Sequence, residues 1–124
     1  MKKCIHLVAL LAIALGFSSC ASVKPANPII EVTSFRTKAG AVDPVAFQQR
    51  DSEIKKDYTS KQPGFLKRLS GVNANGEYVV VVYWATMEDA EASMNKFMSD
   101  ASVADYAGMI DGPTMKMARY KMLK

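Results

Sequence analysis

The stretch Glu77 to Phe97, EYVVVVYWATMEDAEASMNKF, changes its hydrophobic period halfway, and that change decides the fold. Four consecutive valines, Val79 to Val82, stand between Tyr78 and the pair Tyr83-Trp84. An unbroken run of β-branched and aromatic residues predicts a strand over 77–85. The run has no polar side, so both faces of that strand require cover. Thr86 then offers a helix cap, with Asp89 at the capping-box distance. Met87, Ala90, Met94, Phe97 and Met98 follow at helical spacing, a stripe whose ordinary use is core packing.

Upstream, Asn73-Ala74-Asn75-Gly76 contains an Asn-Gly pair suited to a hairpin turn, which makes Phe65–Val72 (FLKRLSGV) the partner strand. Gln62-Pro63-Gly64 ends a helix that begins at Asp43-Pro44, with Asp as cap and Pro in the first turn. Within that helix Phe47, Ile54 and Tyr58 form a narrow apolar stripe, and Arg50, Asp51, Glu53, Lys55, Lys56 and Asp57 read as its solvated remainder. Ile29–Lys38 (IIEVTSFRTK) is the first strand, closed by a turn at Lys38-Ala39-Gly40-Ala41. Downstream, Ala101–Ile110 reads as a short helix carrying Val103, Tyr106 and Ile110. Asp111-Gly112-Pro113 reads as a turn, and Thr114–Leu123 as the closing strand. The order strand, helix, strand, strand, helix, strand is an α+β chain whose simplest solution is the ferredoxin-like βαββαβ topology. One helix layer covers one side of the sheet, so the other side of the valine strand calls for a second copy, and a homodimer packed sheet to sheet is expected.

The chain opens MKKCIHLVALLAIALGFSSC. A basic head at Lys2-Lys3, an apolar core from Ile5 to Phe17 and small residues before Cys20 make an export signal. The core is shorter than the roughly 20 residues needed to span a bilayer. Phe17-Ser18-Ser19-Cys20 resembles the lipobox of bacterial lipoprotein signals, with Phe where Leu is commoner. That resemblance implies a signal peptide over 1–19, acylation of Cys20, and a tether over 20–28 containing Pro25 and Pro28, with the domain at 29–124. The expected location is membrane-anchored and facing the periplasm. Ser19 and Ala21 also fit an ordinary small-x-small cleavage, which would release a periplasmic protein.

Of the 124 residues, 49 % are hydrophobic and 23 % charged, within the range of one globular domain. Removal of the signal takes Cys4 and His6 with it, leaving no histidine and one cysteine. It also takes Lys2 and Lys3 from the 16 basic residues, so 14 stand against 12 acidic ones, a net charge of +2. Nucleic-acid binding is therefore not expected. Without histidine there is no Ser-His-Asp or Cys-His pair and no His-ligated zinc, iron or haem. The remaining carboxylates show no calcium-loop spacing. No metal and no cofactor are expected.

Pro63-Gly64-Phe65 before the second strand, Tyr83-Trp84-Ala85-Thr86 ending the third, Glu88-Asp89-Ala90 opening the next helix and Phe97 closing its stripe resemble the antibiotic biosynthesis monooxygenase-like domains of the dimeric α+β barrel superfamily. The resemblance spans about Ile29 to Leu123. It implies a dimeric barrel with a pocket between sheet and helices. The family includes metal-free oxygenases of aromatic polyketides and haem-degrading members, but its folds host varied functions. The haem-degrading branch uses an asparagine and a histidine at places that fall near Thr33 and Tyr106, and neither type matches, so haem degradation is not expected.

Trp84, the only tryptophan, is the expected pocket wall, with Tyr106, Thr33, Phe35 and Tyr83 as the other pocket residues. Phe47 and Tyr58 are further candidates. Arg36 and Arg119, on the first and last strands, would hold an anionic oxygen if both pointed inward. A ligand-competent pocket would measure roughly 300 Å³ or more. Three readings remain open: a pocket protein for a small apolar or aromatic ligand, a cofactor-independent monooxygenase on an aromatic or phenolic substrate, and a structural accessory lipoprotein without a ligand.

Overall fold

The computed structural model describes residues 27–124. The expectations for the signal peptide, the acylated Cys20 and the tether up to Ala26 lie outside the described residues. The chain runs β1 (Ile29–Thr37), α1 (Pro44–Glu53), β2 (Phe65–Val72), β3 (Tyr78–Trp84), α2 (Met87–Ser99), α3 (Ala104–Met109) and β4 (Ile110–Lys121). The four strands form one sheet in the order β2-β3-β1-β4, and every neighbouring pair is antiparallel. This is the ferredoxin-like α+β topology.

Helix α1 begins as its sequence dictates. The Asp43 side chain accepts from the Ala46 N–H at 2.9 Å, and Pro44 occupies the first turn, where its missing N–H costs nothing. The helix does not stay regular to Lys61. From Ile54 to Tyr58 it widens into a π turn, with the Thr59 N–H reaching back to the Ile54 carbonyl, and it tightens into a 3-10 turn over Thr59–Lys61. The buried positions follow suit: Phe47, Asp51 and Ile54 obey helical spacing, and the next, Thr59, comes five residues on. Gly64 then takes φ +76°, a conformation glycine adopts without penalty, and its carbonyl accepts from the Ala85 N–H at 2.7 Å. The hairpin closes as predicted, with Asn73 Oδ1 accepting from the N–H groups of Asn75 and Glu77. Thr86 caps α2 through Oγ1, which accepts from the Asp89 N–H at 3.1 Å.

The end of the chain departs from the expectation. Asp111-Gly112-Pro113 is part of β4 rather than a turn before it, and the strand starts at Ile110. A shift of register against β1 between Ser34 and Arg36 absorbs the extra residues. An edge strand with such an irregularity accommodates a proline that a central strand would not. The expected helix over 101–110 is divided into a 3-10 turn, Ala101–Val103, and α3.

Alternation splits the sheet. On the helix-covered side, Phe35 and Tyr78 pack with Phe47, Ile54, Val103 and Tyr106, while Ile29, Val82 and Trp84 pack with Ala90 of α2. Phe47 stands edge-on to Tyr78 at 4.6 Å and stacks on Tyr106 at 5.3 Å. Such pairs add about 0.5–1.5 kcal/mol each beyond area burial. Ala90 is wholly buried and brings α2 close to the sheet; Met94 and Phe97 are half-buried, but Met87 and Met98 are exposed, so the buried stripe is narrower than its sequence. On the other side the register aligns Tyr83, Ile30 and Tyr120 in one row and Leu69, Val81, Val32 and Ala118 in the next. Leu69 and Tyr120 are exposed, and the valines of this row are half-buried. Among the described residues, the apolar run of β3 is thus covered on one side only.

Candidate functional site

A cavity of about 100 Å³ lies between the inner side of the sheet, the π turn and α2. Its floor is Thr33 and Phe35 from β1 with Val80, Val82 and Trp84 from β3; Tyr106 closes one end, and Tyr58 and Phe97 approach from the helices. Of the expected residues, Trp84, Tyr106, Thr33 and Phe35 therefore line one space. Tyr83 does not: side chains alternate along a strand, and with Trp84 inward its neighbour points to the opposite side. Phe47 sits behind the wall, in the core, and borders a separate surface cleft of about 300 Å³ with Asp51, Ser70 and Val72. The inner cavity is smaller than the roughly 300 Å³ expected of a ligand site, and below the ~150 Å³ at which an engineered apolar cavity admits benzene. Its rim is adaptable, however. Met94, Met98 and Met115 stand there, with Met98 69 % exposed, and unbranched thioether side chains re-pack at little cost.

Two ion pairs, one partly buried and one buried, frame the cavity. Glu31, on its wall and 5 % exposed, accepts at Oε2 from Arg119 Nε at 2.6 Å and at Oε1 from the Trp84 indole N–H at 3.3 Å. The register places Glu31 directly opposite Arg119, which is how a carboxylate can stand among apolar neighbours. Arg119 thus points inward, bound to Glu31, whereas Arg36 is exposed and donates to the Asn75 carbonyl at 2.5 Å. The two arginines do not point inward together and form no anion clamp.

In the second pair, Arg68 donates to Asp51 Oδ1 at 2.6 Å, and the Tyr106 hydroxyl donates to the same oxygen at 2.6 Å. Arg68 also reaches the Asp51 carbonyl at 3.2 Å. Burial, reinforced by the Asp51 charge, pushes the Tyr106 phenol far above the ordinary tyrosine value, so it stays protonated and keeps donating.

Tyr58 is different. Its hydroxyl is buried and has no hydrogen-bond partner among the described residues. Its ring is edge-on to Phe97 at 6.1 Å with the Lys96 ammonium 5.5 Å from its centroid. Burial, and then the charge of Asp100, raise its pKa.

Glu31, Asp51, Arg68 and the role of Tyr58 escape a reading by residue type, though the spacing contained two of them. Asp51 completes the series 47, 51, 54, 58 on one helical face. Glu31 is in phase with Ile29, Thr33 and Phe35 on the inner side of β1.

No family model matches the sequence, and a search of curated proteins finds no relative by sequence. Solved structures do match. SnoaB, a cofactor-independent oxygenase from Streptomyces nogalater (a point mutant), superposes with a TM-score of 0.63 at 13 % identity, covering 80 % of this chain and 96 % of that one. The chain shares its fold. A protein provisionally assigned as an antibiotic biosynthesis monooxygenase from Caulobacter crescentus CB15 gives 0.63 at 14 % identity over 79 % and 92 % of the two chains. A dimeric ferredoxin-like protein of unknown function from Thermobifida fusca YX gives 0.60 at 17 %, over 77 % and 92 %. The structural neighbours are thus antibiotic biosynthesis monooxygenase-like proteins of ferredoxin fold.

Proposed function

We propose that this protein binds a small, apolar or aromatic molecule in the cavity beside Trp84, as an exported homodimer held to the membrane through an acylated Cys20. The observation that carries the binding reading is the cavity itself. It is an apolar space under an adaptable methionine rim, framed by two hydrogen-bonded ion pairs whose construction in a core this small is costly unless the geometry serves something. The single tryptophan on its wall makes the test direct. Titration with small aromatics such as phenol and indole should change Trp84 emission saturably, and a Trp84→Phe chain should lose the signal while keeping its fold. A flat response across such a panel, with the rim methionines unmoved, would leave the accessory role as the better account.

The homodimer reading is supported by the rows of Ile30, Val32, Leu69, Val81, Tyr83 and Tyr120 on the uncovered side of the sheet, since a contiguous apolar patch is an association surface. A stable pair should bury roughly 1,200–2,000 Å². Light scattering should give twice the chain mass, and Val81→Lys should give monomers. Intact mass after membrane extraction tests the anchor: an acylated chain beginning at Cys20 is expected, and unmodified protein beginning after Ala21 would reject it.

A second reading is catalytic, favoured by the likeness to a cofactor-independent oxygenase. In such chemistry the substrate anion supplies electrons to oxygen, and the protein binds it, excludes water and stabilises charge. Oxygen uptake with phenolic substrates, with no added metal, flavin or nicotinamide, separates catalyst from binder.

A further inference from the structure

We infer that the ligand of this cavity is a neutral molecule carrying a carbonyl or equivalent hydrogen-bond acceptor, and that the Tyr58 hydroxyl is the group that receives it. The inference rests on the reading of the cavity as a ligand site and specifies what enters it. Three observations lead there.

The first is the bonding account of the large polar side chains on the wall, which the smaller hydroxyls of Thr33, Thr59 and Ser93 accompany. Trp84 donates to Glu31, Tyr106 donates to Asp51, and Arg68 is taken up by Asp51. Among the described residues the Tyr58 hydroxyl is the buried side-chain polar group without a partner. A buried hydroxyl left unpaired gives up its hydration with nothing in return, a penalty seldom retained in a core without a use. Glu31, an acceptor-only carboxylate, already has donors on both oxygens.

The second is charge. Each ionic group on the wall has its counter-ion beside it: Glu31 with Arg119, and Arg68 with Asp51. A charged ligand would enter a space offering no free opposite charge and would lose its hydration uncompensated. The phenol of Tyr58 itself stays neutral, because burial and the nearby Asp100 both oppose its ionisation. It is a standing donor.

The third is how Tyr58 is delivered. It ends the π turn that interrupts the first helix, and its ring is braced by Phe97 and Lys96. Single π turns inside helices recur at functional sites because they re-aim a side chain. Here the wide turn sets a half-buried tyrosine at the cavity in place of a helix that would have continued straight.

The test compares cyclopentanone with methylcyclopentane, which matches it in size and lacks the acceptor. The probe is the full-length chain carrying methyl-labelled methionine, with the shifts of Met94, Met98 and Met115 followed and Met122 as a remote reference. Tyr58→Phe should weaken cyclopentanone about five- to tenfold, the ratio for one net hydrogen bond, and leave methylcyclopentane within twofold. The substitution removes an unsatisfied group and does not threaten the fold. Equal ketone affinity in both chains would overturn the inference, since water or nothing would then be the hydroxyl's partner. Binding of the hydrocarbon without the ketone would overturn it while leaving the pocket reading intact. Failure of both probes to shift the rim methionines would overturn the inference together with that reading.

Discussion

Replacing Arg68 by Met tests whether the polar heart of this core is one coupled unit. Arg68 is 3 % exposed, and the Asp51 side chain facing it is 12 % exposed. Without the guanidinium, the Asp51 carboxylate keeps the Tyr106 hydroxyl but loses the cation paired with it. Removing one partner of a buried pair costs about 3–5 kcal/mol, against a total of about 5–15 kcal/mol for a domain. For a domain of about 100 residues each kcal/mol moves Tm by about 4–8 °C, so Arg68→Met should lower Tm by at least ~12 °C. Adding Asp51→Leu removes the second charge together with its partner's absence, and most of the loss should return. The remainder belongs to the Tyr106 hydroxyl, stranded without its acceptor at about 1–3 kcal/mol, and Tyr106→Phe should recover it. Thermal and urea unfolding followed by circular dichroism measure all of these, and the double-mutant cycle isolates the coupling. If Arg68→Met costs less than about 1 kcal/mol, or if the double variant is no better than the single, the pair is not the desolvated unit its distances describe.

Gly64→Ala should destabilise for two reasons: φ is +76°, and the new Cβ would collide with the Asp89 side chain. The left-handed conformation alone costs about 1–2 kcal/mol. Because the Asp89 Cβ would itself stand 2.6 Å from the new Cβ, adding Asp89→Ala should relieve only part of the clash and none of the strain, as read by Tm. Alkaline pH should unfold the chain through its tyrosines. Tyr106 and Tyr58 both have raised pKa values in the fold, so stability is whole below the ordinary phenol value of about 10 and falls as pH climbs beyond it. Tyr106→Phe should make that fall shallower in a pH series of unfolding curves. Glu31→Gln keeps the shape of the wall but leaves Arg119 without its counter-charge. A loss of about 1.5–3 kcal/mol is expected, the range for a hydrogen bond to a charged group, accompanied by a shift in the emission of the single tryptophan.

The architecture was legible because its signals are local. Asp43-Pro44, the Asn-Gly turn, the valine run and Thr86 each act within a few residues, and each element they mark stands in the structure. The closing strand was misread for the same reason. Asp111-Gly112-Pro113 has turn chemistry, but an edge position and an irregular register against β1 admit it into a strand, and neither is visible without the neighbour. At the site, aromatic content pointed to Trp84, Phe35 and Tyr106, whereas Tyr83 was assigned without regard to alternation. The carboxylates were harder. Asp51 and Glu31 obey the period of buried residues, yet a charge is assigned to solvent until its counter-ion is known, and Arg68 and Arg119 arrive from distant segments. The π turn that re-aims Tyr58 has no sequence signal we can identify.

The place of β1 in the sheet has a mechanical consequence. It is the first element of the domain, yet it lies in the interior of the sheet, with β3 along one edge and β4 along the other. The Met122 N–H closes on the Pro28 carbonyl at 2.9 Å, where the chain enters. A pull arriving through the residues before Asn27 acts along the strand and loads both ladders in shear, so many hydrogen bonds must yield together. A pull on the C-terminus acts on β4, an edge strand with a partner on one side, which can peel away bond by bond. Stretched between a surface and a bound partner, the domain would resist at its N-terminal end and open from the other.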